Sequence, residues 1–401
     1  MTNTPTENSK KWIVPFVAAV VGMMSLQMSS LGFSPLLPSI KKDFDLNFSQ
    51  MGLFTGLYGI LAMLLSVPAG LMAKRFGEKK ILIAGIIIIA IGLVMLSCST
   101  NFTEALIARG VWIGGYRFAF VCILTAIALT APPSLKGRTM GIVGAMSSFA
   151  SVIGAPFGST LGQTYGWRQG IFGFAVIAVL GAIIVSIFYK RQSNDGLVSA
   201  HKIDTAANTT GKSAFQMPII WALALFMGLV GTISFSITFF MPSAGESVFK
   251  MDKVAASLVI SSGYFLAIFV NLFVGWLMDK YNRWVVIGTL MSLMIPACFG
   301  LTIDNEMIFK VSAACAIALG FTATNQCYGI AGTVLNGREV GNVIGMISFG
   351  AGVFAFLGPQ MLGALRDLTQ NFNAGWYMMM GVAVFTIFEI YFLKKYSEKD
   401  I

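Results

Sequence analysis

The chain has 401 residues, of which 56% are hydrophobic and 11% charged, against roughly 25% charged in soluble domains. Its 27 Lys and Arg against 17 Asp and Glu give a net charge of +10, but these charges sit in short clusters between apolar runs long enough to cross a hydrocarbon core, about 20 residues each. That distribution excludes a soluble fold and a nucleic-acid partner, and it makes membrane lipids the surroundings of the chain.

The N-terminal stretch MTNTPTENSKKW is polar and runs into the first apolar segment without a small-residue cleavage site, so no cleaved signal peptide is expected. Spans then follow near residues 13–33, 51–73, 80–99, 103–130, 140–163 and 168–189. A polar linker holds KRQSN, DTAANTTGKS and the only histidine, His201. A second set occupies residues 217–240, 255–278, 284–303, 308–332, 341–364 and 374–393. Backbone groups in lipid must be satisfied within a segment, and barrel strands would alternate polar and apolar residues. These runs do not alternate, so the expected fold is all-α, with 12 transmembrane helices. The units are residues 1–189, a linker at 190–213, and residues 214–401.

The Lys and Arg bias sets the expected orientation. With the N-terminus in the cytoplasm, eighteen cations fall on that side and seven on the other, which puts both termini in the cytoplasm. Two remain, Arg109 and Arg117, both inside the fourth span. The five cysteines, Cys98, Cys122, Cys298, Cys315 and Cys327, are odd in number and lie in apolar runs without a Cys-x-x-Cys pair. With one histidine outside the spans, no metal site or cofactor is expected.

The two halves repeat. Pro38-Ser39 after the first span matches Pro242-Ser243 after the seventh. Gly70-Leu-Met-Ala-Lys-Arg-Phe-Gly matches Gly275-Trp-Leu-Met-Asp-Lys-Tyr-Asn. Gly144, Ser147, Ala150, Val152, Leu161 and Gly162 match Gly345, Ser348, Ala351, Val353, Leu362 and Gly363. The offsets are similar and the places in the topology are the same, so the expected architecture is two pseudo-symmetric six-helix bundles.

With these features the sequence resembles the major facilitator superfamily over nearly its whole length. The loop from Gly70 through Lys74, Arg75 and Gly77 to Lys80 is similar to the family's G-x-x-x-D-R-x-G-R-K/R loop, with Lys74 at the acidic position. The second copy keeps that acid as Asp279, in Gly275-x-x-x-Asp279-Lys280. The resemblance implies a gating role for these loops: glycines let helices touch, and charges at helix ends form a breakable latch. The alternative is that the charges only hold the loops in the cytoplasm. Ala108-Arg109 with Gly115 resembles the family's R-x-x-x-G-x-G stretch, with Ile113 at its first glycine. Gly154-Ala155-Pro156-Phe157-Gly158 partly resembles an antiporter element but reads as close packing with a bend, and antiport is not inferred. Ala131-Pro132-Pro133 looks like the organic-anion branch, where an acid typically follows the arginine by seven residues; here that position is Tyr116.

The resemblance implies a monomeric transporter with a cavity between the bundles, lined by spans 1, 4, 7 and 10 and opening alternately to each side. The polar residues point to the same place. Arg117 lies near the centre of span four, where a charge must face water, protein or a partner. Arg109 is eight residues earlier, about 12 Å along the helix. No acid faces them in sequence: Glu104 and Glu389 are the only acids within spans and lie near span ends. Two buried cations without carboxylates call for an anion, and the guanidinium fork suits a carboxylate or phosphate. Arg117 either binds this anion or hydrogen-bonds backbone carbonyls of a neighbouring helix; Arg109 is either a ligand contact or an arginine that recurs across the resembled family whatever the substrate. Further candidates are Tyr116, Gln27, Tyr58, Tyr264, Thr322, Asn325, Gln326 and Tyr328, with Thr232, Ser234 and Ser236 in span seven. The many Phe and Met read as lipid-facing and core packing.

No Gly-x-Ser-x-Gly elbow, His-Glu-x-x-His pair or intramembrane histidine is present, so no enzyme is expected. The expected function is secondary active or facilitative transport of a small anionic solute in a bacterial inner membrane. Multidrug efflux is the alternative. Without a central acid, obligate proton symport through a buried carboxylate is not expected.

Overall fold

The computed structural model describes residues 13–130, 136–189, 218–334 and 340–397. The predicted linker at 190–213 lies outside them. Twelve long helices run up and down: α1 Ile13–Gly32, α2 Phe48–Phe76, α3 Glu78–Cys98, α4 Phe102–Thr130, α5 Lys136–Thr164, α6 Trp167–Phe188, α7 Pro218–Phe249, α8 Lys253–Lys280, α9 Arg283–Gly300, α10 Glu306–Val334, α11 Val340–Thr369 and α12 Asn373–Ser397. Ten of them contain a described stretch long and apolar enough to cross a membrane. No strand occurs among the described residues.

Local chemistry sets the helix starts. Asn47 accepts a bond from the Gln50 amide and Gln50 Oε1 accepts one from the Asn47 amide, a reciprocal cap on α2. Asp252 caps α8 through the Ala255 amide at 2.6 Å. Gly77, at φ +90°, makes the turn between α2 and α3 that a side chain would strain.

The repeat is visible in the packing. In the first half α1 packs on α4, α5 and α6, α2 on α4, α3 on α4 and α6, and α5 on α6. The second half pairs α7 with α10, α11 and α12, α8 with α10, α9 with α10 and α12, and α11 with α12. Each of these pairings recurs after a shift of six helices. Small residues permit these crossings: a Cβ on Gly32 would lie 2.6 Å from the Gly154 carbonyl carbon, and one on Gly350 would lie 2.8 Å from the Ala224 side chain.

Two boundaries differ from the hydropathy reading. Helix α7 continues to Phe249 with Pro242 buried inside it, whereas α1 stops at Gly32 and a 3₁₀ turn, Ser34–Leu36, leads into a short helix, Leu37–Asp43. The matched Pro-Ser pairs are therefore not equivalent in structure. Pro35 and Pro38 both follow the break after α1, while Pro242 is tolerated because neighbouring helices enclose it.

The bundles meet along α2 with α11 and α5 with α8, at the end distal to the chain termini. A Cβ on Gly52 would lie 2.6 Å from the Pro359 carbonyl oxygen, and one on Gly56 would lie 2.9 Å from that of Phe356. Ser159 Oγ donates to Ser257 Oγ at 2.9 Å, and Ser261 Oγ donates to the Val152 carbonyl at 2.8 Å. The Asp367 carboxylate, from α11, accepts the first amides of α2, Phe48 at 2.9 Å and Ser49 at 2.7 Å, and the Ser49 hydroxyl at 2.7 Å. An acid from one bundle thus satisfies the positive N-terminus of a helix in the other. At the proximal end Gly70 and Gly144 have open space where a side chain would stand. Gly70 was expected to let helices touch; in this conformation none of the described residues stands against it, because the bundles join at the other end.

Candidate functional site

Arg117 sits on the inner face of α4 and is 9% exposed. Its guanidinium lies 4.0 Å from the centre of the Tyr58 ring and 5.7 Å from that of Tyr116. One terminal nitrogen stands 3.5 Å from the Tyr58 carbonyl, and Nε is buried without a partner. Among the described residues no carboxylate pairs with it. The Tyr116 hydroxyl donates to Gln27 Oε1 at 2.6 Å, tying α4 to α1 beside the arginine. Four predicted residues, Arg117, Tyr116, Tyr58 and Gln27, therefore converge from three helices.

Arg109 is enclosed differently. It is 1% exposed, and its guanidinium lies 4.1 Å from the ring centres of both Phe33 and Trp112 and 5.5 Å from that of Phe54. The aromatic faces offset part of the cost of desolvating the cation. They cannot accept hydrogen bonds as oxygens do, and Nε and one terminal nitrogen remain unpartnered.

The aromatic cover continues into the second bundle. Phe235 and Phe239 of α7 stack on each other at 5.9 Å, Phe235 lies 4.9 Å from Tyr58, and Phe239 lies 5.7 Å from Phe33. Each of these phenylalanines thus backs a ring that lies against an arginine. Phe33, Phe54, Trp112, Phe235 and Phe239 are core packing, as expected of the aromatic residues, but their enclosure of the arginines was not anticipated. The usable signal was the i, i+4 spacing of Phe235 and Phe239 on a helix expected to line the cavity, since residues so spaced share a face.

The remaining candidates lie on the second bundle. Tyr264 is buried, with Phe321 at 5.3 Å edge to face. Asn325 Nδ2 donates to Asn271 Oδ1 at 3.3 Å, and Asn271 donates to the Ala267 carbonyl, so the amide partner that Asn325 required comes from α8. Gln326 Nε2 comes within 4.0 Å of a Cβ placed on Gly275. Thr322 is fully buried with its hydroxyl unpartnered. Thr232 bonds the Phe354 carbonyl at 3.1 Å and Ser236 lies against Gly358, so both face α11; Ser234 bonds its own helix at Val230. The side chains of Tyr328, Lys74 and Asp279 lie outside the described residues. Arg75 is exposed with its guanidinium 5.3 Å from the Phe76 ring centre, and Lys280 Nζ stands 4.2 Å from that of Trp276.

The two acids also separate. Glu104 is exposed and accepts from the Thr100 amide and hydroxyl at 2.8 and 2.9 Å, so it is a cap. Glu389 was read as a span-end residue, but it is 6% exposed with both carboxylate oxygens buried and unpartnered. It belongs to α12, while the arginines belong to α4.

A family model described as Major Facilitator Superfamily matches residues 16–359. The chain belongs to the major facilitator superfamily. It is a multi-pass integral membrane transporter. Among its relatives is Multidrug resistance protein 2 of Bacillus subtilis (strain 168), 25% identical over 87% of this chain and 89% of the relative. The Nitrite extrusion protein of the same strain is 22% identical, covering 90% and 91%. The Probable nitrate transporter NarT of Staphylococcus aureus (strain JH9) is 24% identical over 94% of each chain. The fold matches a bacterial homologue of the human lysosomal transporter Spinster, with TM-score 0.77, 16% identity and 99% of each chain covered. It also matches a D-xylose-proton symporter, with TM-score 0.76, 12% identity, and 94% and 97% covered.

Proposed function

We propose that this transporter carries a small anion, a monovalent oxyanion or a carboxylate, by alternating access, with Arg117 as its principal ligand and Arg109 as a second. The observation that carries the reading is a guanidinium buried midway along a membrane helix with an unpartnered N–H and no carboxylate beside it. A charge in that position is costly until it meets an opposite one, and a transported anion supplies it. The planar fork also suits bidentate capture of an oxyanion. The relatives named for nitrite extrusion and nitrate transport support an inorganic anion.

In this reading Tyr58, Tyr116 and Gln27 shape the site from the first bundle. Tyr264, Thr322, Asn325, Gln326 and Tyr328 form the facing wall. The bundles span residues 1–189 and 214–401, joined by the linker at 190–213, and the protein works as a monomer. Gly70, Lys74, Arg75 and Gly77, with Gly275, Asp279 and Lys280, belong to the proximal gate. With both termini in the cytoplasm of a bacterium, the sealed distal end faces outward and this conformation opens inward.

A second reading is efflux of hydrophobic compounds. It is favoured by the aromatic lining around Tyr58 and Phe235 and by the relative named for multidrug resistance. Proteoliposome uptake of nitrate, nitrite, mono- and dicarboxylates, sugars and cationic dyes separates the two. Anion flux that Arg117→Ala abolishes is expected. Dye flux indifferent to that substitution would reverse the assignment.

Glu389 stands on α12, a different helix from the arginines, so Glu389→Gln, which keeps its volume, is expected to leave anion uptake within about twofold of wild type. A proton-uptake signal lost in Glu389→Gln with anion binding intact would instead make that carboxyl the coupling group.

A further inference from the structure

Arg109 is set apart from Arg117 by what surrounds it. Phe33 and Trp112 flank its guanidinium at 4.1 Å, and Phe54 closes a third side. Two of its nitrogens are buried with nothing to bond. One wall of this box is held from the opposite bundle: Phe33 packs on Phe239 at 5.7 Å, on Phe54 at 6.5 Å and on Trp112 at 5.1 Å. The bundles meet on that side of the molecule, through Asp367 on the α2 amides and through Ser159 with Ser257.

From this arrangement we infer that Arg109 is a second anion-binding station that works only when the distal end is open, and that the closed end switches it off by enclosing it in aromatic rings. The inference rests on the anion reading of Arg117. Closure offers the cation π-faces in place of an anion, which disperses its charge but leaves its N–H groups unbonded. Opening withdraws Phe239 from Phe33, and the box loses its outer support. The guanidinium then meets the distal solution about 12 Å before Arg117 along α4. An anion entering from that side binds Arg109 first and passes to Arg117. As the end closes, the rings exclude it from the outer station and oppose its return. The ligand class is a small monovalent oxyanion or carboxylate.

The test uses two fixed states of the full chain. Oxidising the double variant Ser159→Cys with Ser257→Cys holds the distal end shut, since those hydroxyls already lie 2.9 Å apart. Gly363→Trp props it open, because even a Cβ there meets the Phe48 backbone. Nitrate binding to purified protein is measured in both backgrounds, with acetate as the second probe. In the open background Arg109→Lys is expected to weaken binding about tenfold or more, and in the shut background by less than about twofold, whereas Arg117→Lys weakens it in both. Lys keeps the charge, and melting temperatures confirm that each variant is folded. Equal effects of Arg109→Lys in the two backgrounds, or none in the open one, overturn the switch while leaving Arg117 as the anion site. Nitrate and acetate binding that ignores both arginines overturns the anion reading and the switch together.

Discussion

Arg117→Lys is expected to lose nearly as much anion binding as Arg117→Ala, about 10- to 100-fold in either case. The guanidinium lies over the Tyr58 ring with its Nε–H unpartnered, which a flat, forked group can do and a tetrahedral ammonium on a flexible stem cannot. Stability moves the other way. A buried cation with no partnering acid contributes little to the empty protein and costs a few kcal/mol to hold in the membrane. Ligand-free Arg117→Ala is therefore expected to melt no lower than wild type, while the anion-induced rise in melting temperature disappears. Thermal melts with and without nitrate read both quantities. A marked fall in the melting temperature of the empty variant would show that the arginine mainly joins helices, and the anion assignment would then fail.

Gly59→Leu is expected to abolish transport while sparing binding. A Cβ at Gly59 would lie 2.5 Å from the Phe356 amide nitrogen and 2.9 Å from the Ala355 carbonyl carbon, and one at Gly352 would lie 2.7 Å from the Gly59 carbonyl. Backbone stands on both sides, so no side chain can swing away. Overpacking of this kind costs about 1–3 kcal/mol or more, and only the distally closed state bears it. A carrier that cannot close one end cannot complete its cycle, so uptake is expected to fall tenfold or more at ordinary solute levels. Gly381→Leu, on α12 with open space at the Cβ, serves as the control and is expected to transport normally. Equal loss in both variants would mean that the glycines matter for helix folding rather than for the seam.

Much of this is legible in the sequence. The bilayer charges each residue by its own polarity, so span number, helical class and the anomaly of Arg109 and Arg117 follow from composition along the chain. The repeat was legible too, since two copies of one unit leave matching glycines and loop charges. The charged contact that joins the bundles at the distal end was not legible. The loops after α2 and α8 carry the recognisable motif, but the carboxylate on a helix end across the interface is Asp367, on residues more than 300 positions away. No motif marks it, because an acid near a helix end reads locally as a solvated residue. Glu389 shows the same limit: proximity to a span end in sequence said nothing of its burial, which its position among packed helices decides.

The sequence by itself determined the solvent of this protein, its twelve-helix plan, its internal duplication and the excess of buried positive charge, all of which depend on residue type and order. Only the tertiary structure decided that one arginine lies over Tyr58 with its Nε unpartnered while the other is boxed by Phe33, Phe54 and Trp112, and that α7 backs the rings beside both from the opposite bundle. Those differences depend on which faces of distant helices meet. Most of the helices are apolar nearly all round, so hydropathy carries little record of which face looks inward.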